Sequence, residues 1–189
     1  MRFLFSNHFC AIPKFGKSSR TFSLARELAR QGHEVSIVTA SFSHMRGTQP
    51  ELQKTIETEL VSEVRMIYLK TSAYSPGNKI ARLRNILEFI LRYRKHSREI
   101  ARMTTPDIVI EGNAYMLPFI VSSRIARRTR SRLVLEVRDL WPLTLFELGV
   151  SPWNPVAWLI GMVQAWALKR SDLLVSSLRF ADRYFDETG

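Results

Sequence analysis

Short runs rich in Val, Ile and Leu alternate along this chain with longer segments in which apolar residues recur every three or four positions. The first type is typical of strands buried on both faces, and the second is typical of amphipathic helices. Strands that alternate with helices form a parallel sheet with helices on both faces. Because such crossovers are right-handed, we predict an α/β protein with a Rossmann-like, doubly wound parallel sheet.

The predicted strands lie at residues 2–6, 34–39, 64–70, 107–111, 132–137 and 172–176. The predicted helices run from Ser18 or Ser19 to Gly32 and over residues 79–103, 116–128, 156–170 and 178–186. The longest helix has apolar residues at i, i+3 and i+7, which we expect to face the core. These core-facing positions are Ile80, Leu83, Leu87 and Ile90. We expect its basic residues on the side away from them, namely Arg84, Lys95, Arg98 and Arg102.

Size and composition fit one globular domain over residues 1–189. The apolar fraction of 46% is too high for a disordered chain. The single cysteine, Cys10, has no partner for an internal disulfide, which fits a reducing compartment. The 4 histidines do not have metal-ligand spacing, so the sequence predicts no metal site and no cofactor.

The formal net charge of +11 indicates an anionic partner or, alternatively, a surface kept soluble by charge. Nucleic acid, anionic lipid and phosphorylated ligands all fit this charge. We expect the basic residues of the longest helix to face an anionic membrane surface. An apolar anchor for this membrane contact could come from three tryptophans, which are alternatively core residues: Trp153, Trp158 and Trp166. The uncharged segment at residues 148–168 has too short an apolar helical part to cross a bilayer.

Charged and polar residues stand where the predicted strands end. In a doubly wound sheet, ligands bind outside the carboxyl ends of the strands. The densest group follows the buried strand at residues 132–137, and there the proline after Trp141 forces a turn. The predicted substrate-binding residues are Gly16, Lys17, Ser18, Arg20, His44, Arg46, Asn113, Arg138 and Trp141. The candidate catalytic residue is Asp139.

The loop after the first strand contains Gly16, Lys17 and Ser18 at the start of a helix. Backbone N–H groups at such a position can hold a phosphate, but ordinary helix capping explains the same residues equally well. The dinucleotide fingerprint G-x-G-x-x-G is absent, and so is the complete phosphate-binding loop with its upstream glycine. A nicotinamide-dependent oxidoreductase is therefore disfavoured.

Four segments carry a resemblance to known enzymes: residues 24–39, 41–46, 105–110 and 136–149, the last of which contains Asp-Leu-Trp-Pro and then Glu-Leu-Gly. On these segments, the chain resembles the N-terminal domain of GT-B glycosyltransferases. It is most similar to the family 4 retaining enzymes that build bacterial surface polysaccharides. The resemblance covers essentially all of the chain. Two positions depart from it: many relatives have paired glycines at Gly16-Lys17 and a histidine near Arg138-Asp139.

The resemblance implies the acceptor-side half of a sugar-transferring enzyme, without the C-terminal domain that binds most of the donor. It implies transfer from a nucleotide-sugar substrate to a lipid-linked saccharide in polysaccharide biosynthesis, by a cytoplasmic protein that is peripheral at the inner face of the cytoplasmic membrane. We expect a separate C-terminal domain or chain as a partner, no turnover by residues 1–189 alone, and no nucleic-acid partner. The alternative hypothesis is a non-catalytic basic module that binds anionic lipid or nucleic acid.

Overall fold

The structure, a computed structural model, describes residues 1–113, 115–147, 149–179, 181 and 185. The strands are β1 (Arg2–Ser6), β2 (Glu34–Ala40), β3 (Ile56–Val61), β4 (Val64–Leu69), β5 (Ile108–Glu111), β6 (Arg132–Val137) and β7 (Leu173–Ser176). The α-helices are α1 (Arg20–Arg30), α2 (Lys79–Thr104), α3 (Phe119–Thr129), α4 (Leu143–Glu147) and α5 (Pro155–Arg170). The helix predicted at residues 178–186 falls mostly on residues outside the described set.

The seven strands form one sheet in the order β3-β4-β2-β1-β5-β6-β7. Neighbouring strands run parallel, except that β3 pairs antiparallel with β4 at one edge. The chain moves from β1 to β2 on one side and later adds β5, β6 and β7 on the other. The predicted Rossmann-like, doubly wound α/β fold is therefore confirmed.

Strand β3 and the short helix α4 are not among the predicted elements. The side chains of β3 are all exposed or half-buried, because this strand lies at the sheet edge. It therefore lacks the continuous apolar run that marks the central strands. Helix α4 has only five residues, which is too few to show a helical period in the sequence.

Helices cover both faces of the sheet. Successive residues of a strand point to opposite faces, so a single strand contributes side chains to the core on each side. Phe5 of β1 packs in one core cluster with Phe22 of α1. Leu4 of the same strand packs in the other cluster with Phe89 of α2. Helices α3 and α5 contribute to this second cluster, so α2, α3 and α5 form one layer and α1 belongs to the other.

The long helix α2 packs on the core through a different face from the predicted one. Ile80, Leu83 and Leu87 are 84%, 55% and 47% exposed. The buried positions are instead Asn85, Phe89, Tyr93, Ser97, Ile100, Ala101 and Thr104. The prediction is wrong because it followed aliphatic residues alone, whereas two aromatic rings and four small or polar side chains make up most of the buried face. Ile90 is half-buried at its border.

The outward side of α2 therefore carries apolar and basic residues together. Arg98 follows Leu87 by about three helical turns and so lies on the same side of the helix. Arg84, Lys95 and Arg102 are exposed as well. The expectation that these basic residues lie away from the leucines is thus wrong, because the leucines themselves face outward.

Helix α1 begins and ends as the sequence predicts. The Oγ atom of Ser19 accepts a hydrogen bond of 3.3 Å from the backbone N–H of Phe22, which caps the first turn. Gly32 follows the last turn with φ of +83°, a conformation that favours glycine. In the parts of the chain that the structure describes, no helix is both long and apolar enough to cross a membrane.

Candidate functional site

The carboxyl ends of β1, β5 and β6 lie together where the sheet order changes direction. The connection through α1 leaves β1 toward one edge of the sheet, and the connection through α3 leaves β5 toward the other. The loops after these strands therefore separate and leave a crevice, which is where doubly wound sheets bind ligands. Helix α1 begins at this crevice, so its first residue, Arg20, stands beside the end of β6.

A buried carboxyl group forms part of the crevice floor. Glu111, the last residue of β5, is fully buried. Its Oε2 atom accepts a hydrogen bond of 2.5 Å from Ser122 of α3, and its Oε1 atom accepts one of 3.3 Å from the backbone N–H of Asn113. Burial raises the pKa of Glu111 to about 7, although these hydrogen bonds oppose the rise. Glu111 therefore changes its charge near neutral pH.

Asn113, one of the predicted substrate-binding residues, joins the ends of β1 and β5. Its Oδ1 atom accepts a hydrogen bond of 2.7 Å from the backbone N–H of His8, and its Nδ2 atom donates to Oγ of Ser6 at 3.0 Å. The side chain also donates to Glu111 and is buried. Asn113 thus holds the crevice floor in shape from below.

His8 follows β1 and is buried between aromatic rings. Its imidazole stacks on Phe9 at 4.0 Å and on Phe89 at 4.5 Å between ring centroids. Its Nδ1 atom shares a hydrogen bond of 2.5 Å with the hydroxyl of Tyr115. Burial lowers the pKa of His8 to about 3, and the positive charge of Arg46 adds to that effect. The imidazole is therefore neutral at physiological pH.

Glu136, near the end of β6, lies between two arginines from distant parts of the chain. Its Oε1 atom is 3.2 Å from Nη1 of Arg20, and its Oε2 atom is 3.4 Å from Nη2 of Arg138. Arg138 also donates to Oγ1 of Thr21 at 3.1 Å, and this oxygen accepts a second hydrogen bond, of 2.6 Å, from Asn7. We name Arg20, Glu136 and Arg138 the charged cluster. It links α1 with β6 and has one more positive than negative charge.

An exposed aromatic and basic rim borders the crevice beside β2 and β4. His44 shares a hydrogen bond of 2.6 Å with the hydroxyl of Tyr74, and its ring meets Phe9 edge to face at 4.9 Å. Partial burial lowers the pKa of His44, and the charges of Arg82 and Lys17 lower it further. The structure therefore brings Lys17 and His44, two predicted substrate-binding residues, to the same rim.

Arg46 has a structural place, unlike its predicted role in substrate binding. All five N–H groups of its guanidinium donate within the chain, to the backbone oxygens of Cys10, Ala40 and Ser41 and to Oγ1 of Thr39. The side chain is buried. Arg46 thus ties the loop after β2 to the loop after β1, and its donors are not directed at the crevice.

The remaining predicted residues lie in the loops around the crevice. Gly16, Lys17 and Ser18 are exposed, and Gly16 ends a short 3₁₀ turn at Pro13–Phe15 with φ of +90°. Asp139 is half-buried in the loop after β6.

Trp141 follows Asp139 in the same loop and packs partly against the core. Its backbone N–H donates to Oε1 of Gln164 on α5 at 3.0 Å. Among the described residues, no group of three His, Cys, Asp or Glu side chains is placed to hold a metal ion.

The doubly wound sheet, with charged and polar side chains at its carboxyl ends, defines a ligand-binding α/β domain. The model of the glycosyl transferase 4-like domain matches residues 16–189. The chain therefore belongs to this family of glycosyltransferase domains. No curated protein sequence matches it.

Solved structures with the same fold include three enzymes that handle sugars. Sucrose-phosphate synthase from Thermosynechococcus elongatus superposes with a TM-score of 0.64 at 13% identity, over 99% of this chain and 45% of that one. The UDP-GlcNAc 2-epimerase of Methanocaldococcus jannaschii gives 0.54 at 10% identity, over 99% and 42%. The calicheamicin glycosyltransferase gives 0.51 at 15% identity, over 96% and 50%. The chain thus spans half the length of these structures or less, and the likeness shows the fold.

Several residues of the site were given no role of their own from the sequence, although Glu111 and Glu136 lie at the strand ends that the sequence indicates as candidate site regions. Glu111 and Glu136 stand at strand ends, where a carboxylate inside an apolar run is a usable signal. His8, Thr21 and Tyr115 carry no such signal. Their importance follows from contacts between residues far apart in the chain, such as the hydrogen bond between His8 and Tyr115.

Proposed function

We propose that this domain is the acceptor-side half of a retaining glycosyltransferase that transfers a sugar from a nucleotide-sugar to a lipid-linked saccharide in surface-polysaccharide biosynthesis. The charged cluster supports this proposal most directly. Glu136 holds Arg20 and Arg138 side by side at the crevice, and each guanidinium keeps further N–H groups for a phosphate. Nucleotide-sugars and lipid-linked saccharides both bring phosphates to such a site.

Each part of the crevice has a role in this proposal. Arg20 and Arg138 bind phosphate oxygens, and Lys17 adds positive charge at the start of α1. Asp139 accepts hydrogen bonds from sugar hydroxyls, and Trp141 forms the wall behind the sugar. A second domain, on the same chain or another, supplies the opposite wall and binds most of the donor.

The membrane part of the proposal rests on the outward side of α2. Arg84, Lys95, Arg98 and Arg102 face outward together with exposed leucines. Basic residues near anionic lipid gain roughly 1 kcal/mol each, and nearby apolar side chains anchor them. We therefore propose that the domain binds the inner face of the cytoplasmic membrane, where a lipid-linked acceptor would be anchored.

Transfer of radiolabelled sugar tests the catalytic part. Protein made from the complete reading frame is incubated with UDP-, GDP- or TDP-linked hexoses and a lipid-linked saccharide, and label in the lipid fraction is counted. Arg138→Gln is expected to lower the rate at least about tenfold, because it removes a charged hydrogen bond to phosphate. The matched control Arg26→Gln, on the exposed side of α1, is expected to keep the rate.

Two results would contradict this reading. Transfer by residues 1–189 alone would show that no second domain is needed. Equal rates in Arg138→Gln and Arg26→Gln would show that the charged cluster does not meet the substrate. Vesicle flotation tests the membrane part separately. If the protein binds anionic vesicles no better than neutral vesicles, it does not bind the membrane through its charge.

A further inference from the structure

A groove of about 420 Å³ lies between α3 and α5, at the amino-terminal ends of β6 and β7. Buried Leu133 lies at its base, and Trp166 of α5 forms one wall. Trp166 meets Phe119 of α3 edge to face at 5.4 Å between ring centroids, which fixes the indole in place. The groove is at the opposite end of β6 from Glu136, so it is separate from the crevice.

Three arginines give this groove its charge: Arg124 and Arg127 from α3 and Arg170 from α5. None of them takes part in the ion pairs found among the described residues. Asp172, the one acid among the described residues that line the groove, already has partners. Its Oδ2 atom accepts from the backbone N–H of Leu133 at 2.7 Å, and its Oδ1 atom is 3.5 Å from Arg132. The groove therefore presents three arginines that pair with no acid among the described residues.

Next to the groove, the solvent-facing side of helix α5 is apolar, whereas the solvent-facing side of a helix is normally polar. Helix α5 turns Ala157, Gln164 and Leu168 toward the protein. Its outward side instead bears Trp158, Leu159 and Met162, which are 65%, 54% and 44% exposed. An outward stripe of this kind is the reverse of the usual amphipathic pattern. It leads along α5 to Trp166 and the groove.

We propose that the groove between α3 and α5 binds the phosphate of an anionic phospholipid headgroup while the outward stripe of α5 enters the acyl boundary of the membrane. Guanidinium groups bind phosphate through paired N–H donors, and large apolar side chains beside them match the lipid chains below the headgroup. This site deepens the membrane part of the proposed function by adding a defined lipid pocket to the surface of α2, which lies in the same layer of helices.

Vesicle partitioning of the purified chain tests the site. The vesicles contain phosphatidylcholine with or without phosphatidylglycerol. The triple variant Arg124→Gln/Arg127→Gln/Arg170→Gln is expected to bind the anionic vesicles at least about tenfold more weakly than the wild type. The control Lys14→Gln/Arg26→Gln/Arg30→Gln removes the same charge from exposed positions on the side of the sheet that carries α1, and is expected to lose less than about threefold. Equal losses in both variants, or no binding by the wild type, would overturn the proposal.

A second experiment distinguishes binding of a lipid headgroup in the groove from binding of free phosphate. Short-chain phosphatidylglycerol, below its micelle concentration, and inorganic phosphate are titrated while the arginine Nε–H signals are followed by NMR. The lipid is expected to shift the signals of Arg124, Arg127 and Arg170 at concentrations where phosphate does not. Equal shifts by both would indicate a free-phosphate site and contradict the lipid proposal.

Sugar transfer to an acceptor dissolved in detergent provides the link to the proposed function. The groove variant is expected to keep the wild-type rate in this assay, because the groove is remote from the charged cluster. If the groove variant binds anionic vesicles as well as the control variant does, and sugar transfer is intact, then only the proposal for the groove is rejected. Loss of transfer in detergent by the groove variant would contradict the separation of the two sites.

Discussion

A β-carbon on Gly112 would lie 2.7 Å from Oε2 of Glu136. Such a distance is shorter than van der Waals contact allows, so only glycine lets the Glu136 carboxylate sit against the backbone after β5. The carboxylate has little freedom to move away, because Arg20 and Arg138 hold its two oxygens. The position of the charged cluster thus depends on the absence of a side chain at the residue that follows the neighbouring strand β5.

This contact is testable by a double-mutant cycle. Gly112→Ala is expected to lower the free energy of unfolding by about 1–3 kcal/mol, the usual cost of overpacking. In a Glu136→Ala background the same substitution is expected to cost at least about 1 kcal/mol less, because the clashing atom is gone. Urea unfolding of the four proteins measures both values.

Gly47→Ala serves as the matched control for that cycle. A β-carbon at Gly47 would meet only the backbone oxygen of Phe15, at 3.5 Å, which is ordinary contact. Its effect is expected to be small and to add to that of Glu136→Ala. Additive effects of Gly112→Ala and Glu136→Ala would contradict the close approach.

The pH dependence of stability is expected to reveal Glu111. Because burial raises its pKa from 4.5 to about 7, the folded state keeps the proton longer than the unfolded state. Stability from this group is complete below pH 4.5 and falls as the pH rises toward 7, by roughly 3 kcal/mol in all. The free energy of unfolding of Glu111→Gln, minus that of the wild type, should therefore rise over this range. A constant difference would show that Glu111 is ionised throughout.

His8 is expected to act in the opposite direction. Burial lowers its pKa from 6.5 to about 3, so the unfolded state binds the proton first as the pH falls. The stability present above pH 6.5 is lost progressively below it. Between pH 4.5 and 6.5 the two groups therefore offset one another in the wild type. In urea unfolding, His8→Phe should become relatively more stable as the pH falls; an unchanged pH profile would contradict a buried neutral imidazole.

The face of α2 that packs on the core can be tested by stability as well. Phe89 is fully buried, whereas Leu83 and Leu87 are about half exposed. Phe89→Ala is expected to cost about 3–5 kcal/mol, the usual range for a buried phenylalanine. The double variant Leu83→Gln/Leu87→Gln is expected to cost less than about 1 kcal/mol. Thermal unfolding distinguishes the two, and a larger loss in the leucine variant would restore the face expected from the aliphatic pattern.

The local sequence pattern was sufficient to predict the central strands and the order of strands and helices around them, because strands buried on both faces are continuous apolar runs. The orientation of α2 was not predictable in this way. Ile80 and Leu83 on one side and Phe89 and Tyr93 on the other both give helical spacing, and only contacts with the sheet decide between them.

The site follows the same division. Strand ends indicated the crevice and its basic residues, including Arg20 and Arg138. The pairing of these two arginines through Glu136 depends on the tertiary fold, since Arg20 and Glu136 are far apart in sequence. Arg46 is the opposite case. Its position near a strand end predicts a ligand-binding role, but its guanidinium donates to backbone oxygens within the chain, and only the tertiary structure shows these partners.

Ligand titration of residues 1–189 tests the central claim, that the charged cluster meets phosphate, most directly. UDP-hexose and geranyl pyrophosphoryl hexose are added to the wild type, to Arg20→Gln/Arg138→Gln and to the control Arg26→Gln/Arg65→Gln, and affinity is measured by NMR. We expect shifts around the crevice in the wild type and control, and binding at least about tenfold weaker in the Arg20 and Arg138 variant. Equal binding by all three proteins, or shifts confined to the amino-terminal ends of the strands, would contradict the account.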